Sequence, residues 1–349
     1  SFIWVPVPGI LALALLGLAA WIGPHQLTPT LISGLGLWAL VLYITYRFIR
    51  VPVSSFTSPV ERRVLLVLLV LLTIALARVS YSLGPLGELF GGEISRTLEV
   101  GERSDSRFSY NVVHLVALRS GPFSRFAAKI YGDWNFSQRG PITGLAAAPI
   151  VLASPIEVEP SLPQQAWNVF DPEGFSAYRI AMLVMACFSL ITVFGLAQLF
   201  LPDEWAFFAF LVAATAPFTV HEIYYTWPKL EAAAFVLLAA YLTLRSRYLS
   251  SGLSLGIGYL VHPSALVWFP CLVSLVVLSP AAVKEKTISL SRRIYLWGLR
   301  VFSISVGVGV WMLFWKLVNG RHFSQGFFST YFLTVSYTHL RAHETGRNL

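Results

Sequence analysis

The stretch ERSDSRFSYNVVHLVALRSG, from Glu102 to Gly121, carries the side chains of this sequence best suited to acid–base chemistry. Asp105 stands there between two serines, and a positioned carboxylate can act as a general base or orient an acceptor group. Glu102 is a reserve candidate in the same patch. The alternative interpretation is that Asp105 is a solvated loop acid paired with Arg103 or Arg107.

Cations and a histidine at the ends of apolar runs are candidates for binding an anion such as a phosphate group. They are Arg139, Arg179, Lys229 and His262. Long basic side chains at such places also snorkel to lipid headgroups, and an interfacial histidine needs no function. Four aromatic residues can line a ligand groove or belong to the aromatic belt of a membrane protein: Tyr110, Trp134, Tyr225 and Trp227.

The elements that must position these residues are strongly apolar. Of the 349 residues, 56% are hydrophobic and only 12% are charged, whereas a soluble domain has about 25% charged residues. Several apolar runs approach or exceed the roughly 17–25 residues that cross a bilayer. The sequence therefore predicts an all-α, polytopic helical membrane protein. Its net charge of +8 is explained by basic cytoplasmic loops rather than by nucleic-acid binding.

The apolar runs predict spans at 3–22, 31–46, 64–79, 180–200, 205–220, 232–244 and 301–318. The region 253–278 is split by His262 and Pro263, and it predicts two short helices in a hairpin. Placing the arginine and lysine clusters inside puts the segment 80–178, the segment 221–229 and the turn at His262 outside. Asp105 and Lys229 then lie on the same, extracytoplasmic side.

The outer segment 80–178 predicts helices of its own. Apolar spacing in 109–121 indicates an amphipathic helix on the membrane surface. The run 140–153, with Pro141 near its first turn, indicates a juxtamembrane or partly embedded helix. The two cysteines, Cys187 and Cys271, lie in apolar runs and are expected to pack as small hydrophobes.

Three parts of the chain are distinguished by composition. Residues 1–63 hold two N-terminal spans, residues 64–334 hold the transmembrane core, and residues 335–349 change composition abruptly. That last segment resembles translated sequencing-adapter read-through, so we expect a non-native tail and a natural chain that continues past Thr334. No His, Cys or acidic cluster has metal-ligand spacing, so neither a structural metal nor a cofactor is expected; a single divalent cation remains an open alternative.

The order of the motifs carries a resemblance. A span is followed by an outer loop with Asp105, then Tyr110, and a surface helix ending at Gly121; the stretches DWNFSQRGPITGL, AYR, TWPKLEAAAFVLLAAYL and GLSLGIGYLVHPSAL follow. This order resembles the GT-C superfamily of polyprenyl-phosphate-sugar glycosyltransferases, especially its protein mannosyltransferase and aminoarabinose transferase branch. The resemblance covers residues 64–332. Where the family has Arg-Pro-Pro-Leu or His-Pro-Pro-Leu, this sequence reads Arg139-Gly140-Pro141.

The resemblance implies a GT-C-like fold and transfer of a sugar from a polyprenyl phosphate to an acceptor glycan, lipid or protein. The reaction would take place on the extracytoplasmic face of a bacterial inner or plasma membrane. Asp105 would be the base, with Glu102 in reserve. The donor phosphate would be held by Arg179, Lys229, Arg139 and His262.

A non-catalytic protein of similar architecture is the alternative: a lipid or polysaccharide transporter, or an assembly subunit. A transporter is expected to place charged groups near the membrane midplane, on broken helices and often in paired repeats. This sequence keeps most charges at the ends of its predicted spans, which favours the enzyme.

Overall fold

The computed structural model describes residues 6–24, 26–50, 58–83, 108–131, 136, 140–153, 172–225, 227–278 and 288–320. All regular secondary structure in these ranges is helical. The all-α part of the predicted fold class is therefore confirmed.

The helices are numbered along the described chain. They are α1 (Pro6–Ile22), α2 (Pro29–Arg50), α3 (Pro59–Leu83), α4 (Phe108–Ala117), α5 (Arg125–Tyr131), α6 (Ile142–Ala153), α7 (Pro172–Ser189), α8 (Ile191–Ala197), α9 (Asp203–Thr215), α10 (Pro217–Tyr225), α11 (Lys229–Leu244), α12 (Tyr248–Val261), a 3-10 helix (Pro263–Trp268), α13 (Phe269–Leu278) and α14 (Leu290–Asn319).

Several helix ends follow local sequence signals. At the start of α3 the Glu61 N–H donates to Ser58 Oγ (3.2 Å) and the Ser58 N–H donates to Glu61 Oε2 (2.7 Å), which is a capping box. Pro141 immediately precedes α6, as expected for a residue with a fixed φ and no N–H to donate. The predicted break at His262 is confirmed, since α12 ends one residue before it and the 3-10 helix starts at Pro263.

The core is built around short, buried helices. Almost every residue of α6 is buried, and it packs against α1, α2 and α7. A second cluster joins α3, α7, α8, α9 and α10. The first two helices thus share a core with later ones: α1 residues such as Ile10 and Ala14 belong to the same apolar cluster as Leu145 and Tyr178.

Helix α4 is confirmed as a helix, but the predicted exposure of one face is wrong. Ser109, Asn111 and His114, the polar positions of the pattern, are each at most 2% exposed. The physical reason is that α6 covers this face closely: a Cβ at Gly144 would overlap the Ser109 carbonyl oxygen. The Asn111 amide is satisfied inside the protein, where it donates to the Ile130 carbonyl (2.9 Å).

Helix α4 also ends earlier than predicted, at Ala117 rather than Gly121. Arg119 follows with φ 49°, and the Ser120 N–H donates to the Leu115 carbonyl (2.9 Å). This is the hydrogen bond of a Schellman motif. The Arg119 guanidinium donates to the Ala20 (3.3 Å), Pro24 (2.9 Å) and Leu27 carbonyls. These hydrogen bonds connect the end of α4 to the end of α1 and the residues that follow it.

Helices α12 and α14 run in the same direction and touch along their length. Gly252 of α12 faces Ile304 of α14 so closely that a Cβ would overlap the Ile304 carbonyl oxygen, and Gly256 faces Trp311 farther along. Small residues of this kind allow two helix backbones to approach closely.

Two stretches in the described ranges are long and apolar enough to cross a bilayer, namely Ala177–Ala197 and α14. Helices α9 and α10, bent by 58°, make a third if they form one span. Only 22% of the apolar window of α14 is buried inside the protein, and its outward face carries side chains such as Phe302 and Leu317. Length, composition and this exposed apolar surface indicate association with a membrane.

The two ends of the helices carry different charged groups. Helix α11 has Lys229 at its start and is followed by Arg245; its 16 residues separate them by about 24 Å. At the Arg245 end, the Arg63 guanidinium pairs with Glu204 (2.9 Å), and Arg300 lies over the Tyr248 ring. The residues with predicted site roles that the structure describes lie at the other end, here called the Lys229 end.

Candidate functional site

A cluster of polar and aromatic residues occupies the Lys229 end. Ring contacts, an ion pair and electrostatic interactions connect its members. We call this group the Lys229 cluster; it consists of Tyr110, Tyr178, Glu222, Trp227, Lys229, Glu231 and His262. Four of these were predicted from the sequence as site residues, namely Tyr110, Trp227, Lys229 and His262.

Lys229 is the partly exposed cation of this cluster. Its ammonium lies 3.5 Å from Glu222 Oε1 and 3.5 Å from the centroid of the Trp227 ring. A cation in the first turn of a helix is opposed by the helix dipole, so the carboxylate and the ring compensate for an unfavourable position. Since 33% of the Lys229 side chain is exposed, Lys229 is only partly enclosed by the protein.

His262 is held in a defined tautomer. It is 3% exposed, and its Nδ1 accepts from the Ser264 N–H (3.2 Å) and lies 2.7 Å from Ser264 Oγ. A neutral imidazole whose Nδ1 accepts carries its proton on Nε2. The Trp227 ring packs edge-on against the imidazole at 6.4 Å between centroids, so Trp227 contacts both Lys229 and His262.

Tyr178 and Arg179 are buried residues of α7. Arg179 is 7% exposed, so its side chain lies inside the protein instead of snorkelling to a headgroup region. Tyr178 is fully buried and packs against Tyr110 (5.2 Å between centroids) and Phe175 (5.8 Å). Tyr110 is itself only 1% exposed, so its ring supports the cluster from within and does not face an open groove.

Two glutamates of the cluster were missed from the sequence. Glu222 on α10 is 3% exposed and Glu231 on α11 is fully buried. Neither oxygen of Glu231 accepts a hydrogen bond from another residue in the described part of the chain. Its carboxyl is close enough to Glu222, Tyr178 and Cys187 for their electrostatic interaction to matter. The signal that would have found both is an acidic residue beside or within an apolar run, where a charge is costly and usually functional.

An apolar groove of about 430 Å³ begins one helical turn beyond Lys229. Residues four apart lie on one face of a helix, and Ala233 and Leu237 follow Lys229 at that spacing on α11. The opposite wall comes from the 3-10 helix and α13, with Trp268, Cys271, Leu272 and Leu275. A partly exposed cation therefore stands one helical turn before a hydrocarbon-lined groove.

The remaining predicted site residues are not placed. Asp105, Glu102, Arg139 and Trp134, and the side chain of Tyr225, lie outside the described residues. Among described His, Cys, Asp and Glu residues, no three lie close enough together to hold a metal ion.

Gly140, which follows Arg139 in the sequence, is described and lies near His262 of the cluster. This glycine packs against the end of α12 so closely that a Cβ would overlap the Leu260 carbonyl oxygen, two residues before His262. Gly140 and Leu260, 120 positions apart in the chain, are therefore adjacent in the fold.

Comparison of the chain with protein-family models, with curated proteins and with solved structures finds no match in any of the three.

Proposed function

We propose that this chain is part of a polytopic membrane glycosyltransferase of the GT-C type, which moves a sugar from a polyprenyl phosphate to an acceptor on the extracytoplasmic face. The observation that carries the proposal is that Lys229, a partly exposed cation, precedes the apolar groove by one turn of α11. A polyprenyl phosphate has the matching chemistry, an anionic head joined to a long hydrocarbon chain. The order of motifs that resembles this superfamily supports the same substrate class.

The residues of the cluster suit the departure of a phosphate. As the bond from sugar to phosphate breaks, negative charge accumulates on phosphate oxygens, and preorganised cations and N–H donors stabilise it. Lys229 supplies an ammonium, and His262 supplies the proton on Nε2. Arg179 and Arg139 are the further candidates, and Trp227 and Tyr225 flank the same site along the chain. Asp105 is the proposed base for the acceptor, which is a glycan, a lipid or a protein.

The chain is proposed to cross the membrane more often than the two or three spans that satisfy the length criterion. The exposed apolar surface supports this, because side chains such as Trp38 on α2 and Leu66 on α3 are more than 60% exposed. The parallel arrangement of α12 and α14 agrees with alternating crossings. The membrane would be a bacterial inner or plasma membrane.

The sidedness can be tested with single cysteines. In a variant without Cys187 and Cys271, we expect Ser106→Cys to react with an impermeant maleimide in intact cells. Arg62→Cys and Arg293→Cys are expected to react only after the cells are opened, because basic residues concentrate on the cytoplasmic side. Labelling of Arg293→Cys but not Ser106→Cys in intact cells would reverse the topology and place the cluster inside.

Lipid-phosphate binding can be followed through Cys271, which is exposed in the groove, while Cys187 is buried. Decaprenyl phosphate is expected to slow alkylation of Cys271 in the detergent-solubilised protein. Lys229→Gln should raise the concentration for half-protection about tenfold, since it removes a charge-assisted hydrogen bond.

Two controls separate charge recognition from simple partitioning. Decaprenol has the same hydrocarbon chain without the phosphate, and Lys316→Gln removes an exposed ammonium from the last turn of α14. Neither should reproduce the effect of the Lys229 variant. Equal protection by decaprenol and decaprenyl phosphate, or an unchanged midpoint in Lys229→Gln, would leave Lys229 without a role in binding.

One observation favours the alternative of a transporter. Glu222 and Glu231 are carboxyl groups enclosed within the helices, as in membrane proteins that couple transport to protons or ions. The two functions differ in their product. Release of free polyprenyl phosphate from polyprenyl-phosphate-linked hexoses or pentoses, with an acceptor mixture present, indicates transfer; movement of the intact lipid between leaflets of proteoliposomes indicates transport.

A further inference from the structure

Two carboxyl groups are buried at the Lys229 end, and Lys229 pairs with one of them. Glu222 has Lys229 at 3.5 Å, and this is its ion pair within the described residues. Glu231 interacts electrostatically with Glu222 but accepts no hydrogen bond from another described residue. Both carboxyls are almost completely removed from water, at 3% and 0% exposure. The ammonium that compensates Glu222 belongs to a side chain that is itself partly exposed.

We propose that binding of a lipid phosphate at Lys229 is coupled to uptake of a proton by the buried Glu222 carboxyl group. The inference rests on the proposed function, because the phosphate lipid is its donor substrate. It adds a linkage between substrate binding and protonation that the transfer reaction does not itself require.

The coupling follows from the charges on each side of the binding step. Before binding, the Glu222 carboxylate is paired with Lys229. When the phosphate oxygens take over the ammonium, Glu222 loses that partner while it remains buried. An isolated charge in such a place is strongly disfavoured, and a carboxylate relieves it by taking up a proton. That proton comes from the water outside and goes to a carboxylate oxygen of Glu222.

The number of protons bound before and after binding determines how the affinity for the lipid phosphate depends on pH. The complex holds more protons than the free protein, so affinity increases as pH falls. Uptake of one full proton corresponds to about a tenfold loss of affinity for each unit that the pH rises. A smaller slope corresponds to a fractional uptake.

Other titratable or charged groups lie on the helices that pack around the two carboxyls. On α7, α10, α12 and before the 3-10 helix they are Tyr178, Arg179, Cys187, His221, Tyr224, Tyr259 and His262. Only histidines among these have an ordinary pKa near neutrality. His262 is the one that contacts the same tryptophan as Lys229, so it is the group whose titration must be separated from that of the carboxyls.

The test uses the whole chain in nanodiscs of zwitterionic lipid and the methyl diester of decaprenyl phosphate as the probe. A phosphodiester keeps one negative charge between pH 6 and 8.5, whereas a monoester gains a second charge near pH 6. Calorimetry at one pH in two buffers of different ionisation enthalpy gives the number of protons taken up. The wild-type protein should take up a proton on binding and lose affinity, up to about tenfold per unit, as the pH rises.

Two variants assign the proton. Glu222→Gln removes the competing carboxylate, so binding should become tighter and nearly independent of pH. His262→Gln should keep the pH slope of the wild-type protein, even if its affinity is lower. Thermal unfolding of each variant checks that it is folded, and the buffer comparison on the wild-type protein needs no variant at all.

The outcomes are distinct. Binding without proton uptake, or a slope that disappears in His262→Gln but persists in Glu222→Gln, overturns the coupling and leaves the lipid-phosphate site in place. Failure of the wild-type protein to bind the probe at any pH overturns the site itself, and with it both the proposed function and the coupling.

Discussion

Replacement of Asp105 by asparagine is expected to lower the turnover of sugar transfer by about 10²–10⁴-fold, the usual contribution of a general base. Asparagine keeps the shape of the side chain and removes its charge and basicity. Asp105 precedes Phe108, the first residue of α4, by three positions. Helix α4 also carries Tyr110, which packs against Tyr178 in the Lys229 cluster, so the chain leads from the polar patch directly into the proposed site.

The measurement is release of polyprenyl phosphate from a lipid-linked sugar, at equal amounts of folded protein. Asp203→Asn is the matched control, because it is the same substitution at an exposed acid of the Arg245 end, where Asp203 accepts from the Gln198 amide (2.9 Å). It should leave turnover unchanged. Wild-type turnover in Asp105→Asn would mean that Asp105 is a solvated loop acid, and Glu102→Gln would then be the next variant to measure.

Replacement of Gly140 by alanine is expected to have the second-largest effect, on both stability and turnover. The expected effect is steric, because the added Cβ would overlap the Leu260 carbonyl oxygen. A backbone atom cannot rotate away as a flexible side chain does, so the segment before α6 and the end of α12 must separate. Inserting a carbon into a packed site of this kind costs about 1–3 kcal/mol.

The same separation would move His262, two residues beyond Leu260. Misplacement of a catalytic or binding group by about 1 Å can lower turnover about 10²-fold. Gly121→Ala is the control, because a Cβ there has nothing within 4 Å. If Gly140→Ala had the unfolding temperature and turnover of the Gly121→Ala variant, the close contact between the two motifs would not exist in the protein.

The position of Gly140 does not accept a larger residue. Any residue with a Cβ would meet the Leu260 carbonyl in this packing. The sequence indicated that Gly140 belongs to a motif. It could not predict the contact between Gly140 and Leu260, because the two residues are 120 positions apart in the chain.

The helix boundaries that were predictable depend on neighbouring residues. Pro263 lacks an N–H and disfavours helix in His262, so the break in the 253–278 region was determined within a few residues. The same holds for Pro141 before α6. The exposure of α4 was not predictable in this way: its polar positions suggested an aqueous face, but other helices cover Ser109, Asn111 and His114.

The sequence by itself determined that the chain is helical and apolar, where several helices begin or break, and which residue types are available for phosphate chemistry. These properties follow from backbone geometry, hydrogen bonding within a few residues, and composition. Only the tertiary structure decided that Lys229 shares a cluster with Glu222, Glu231 and His262, and that Gly140 touches the end of α12. Those contacts join residues from different helices, and they depend on how closely packed helices approach one another, which no local pattern encodes.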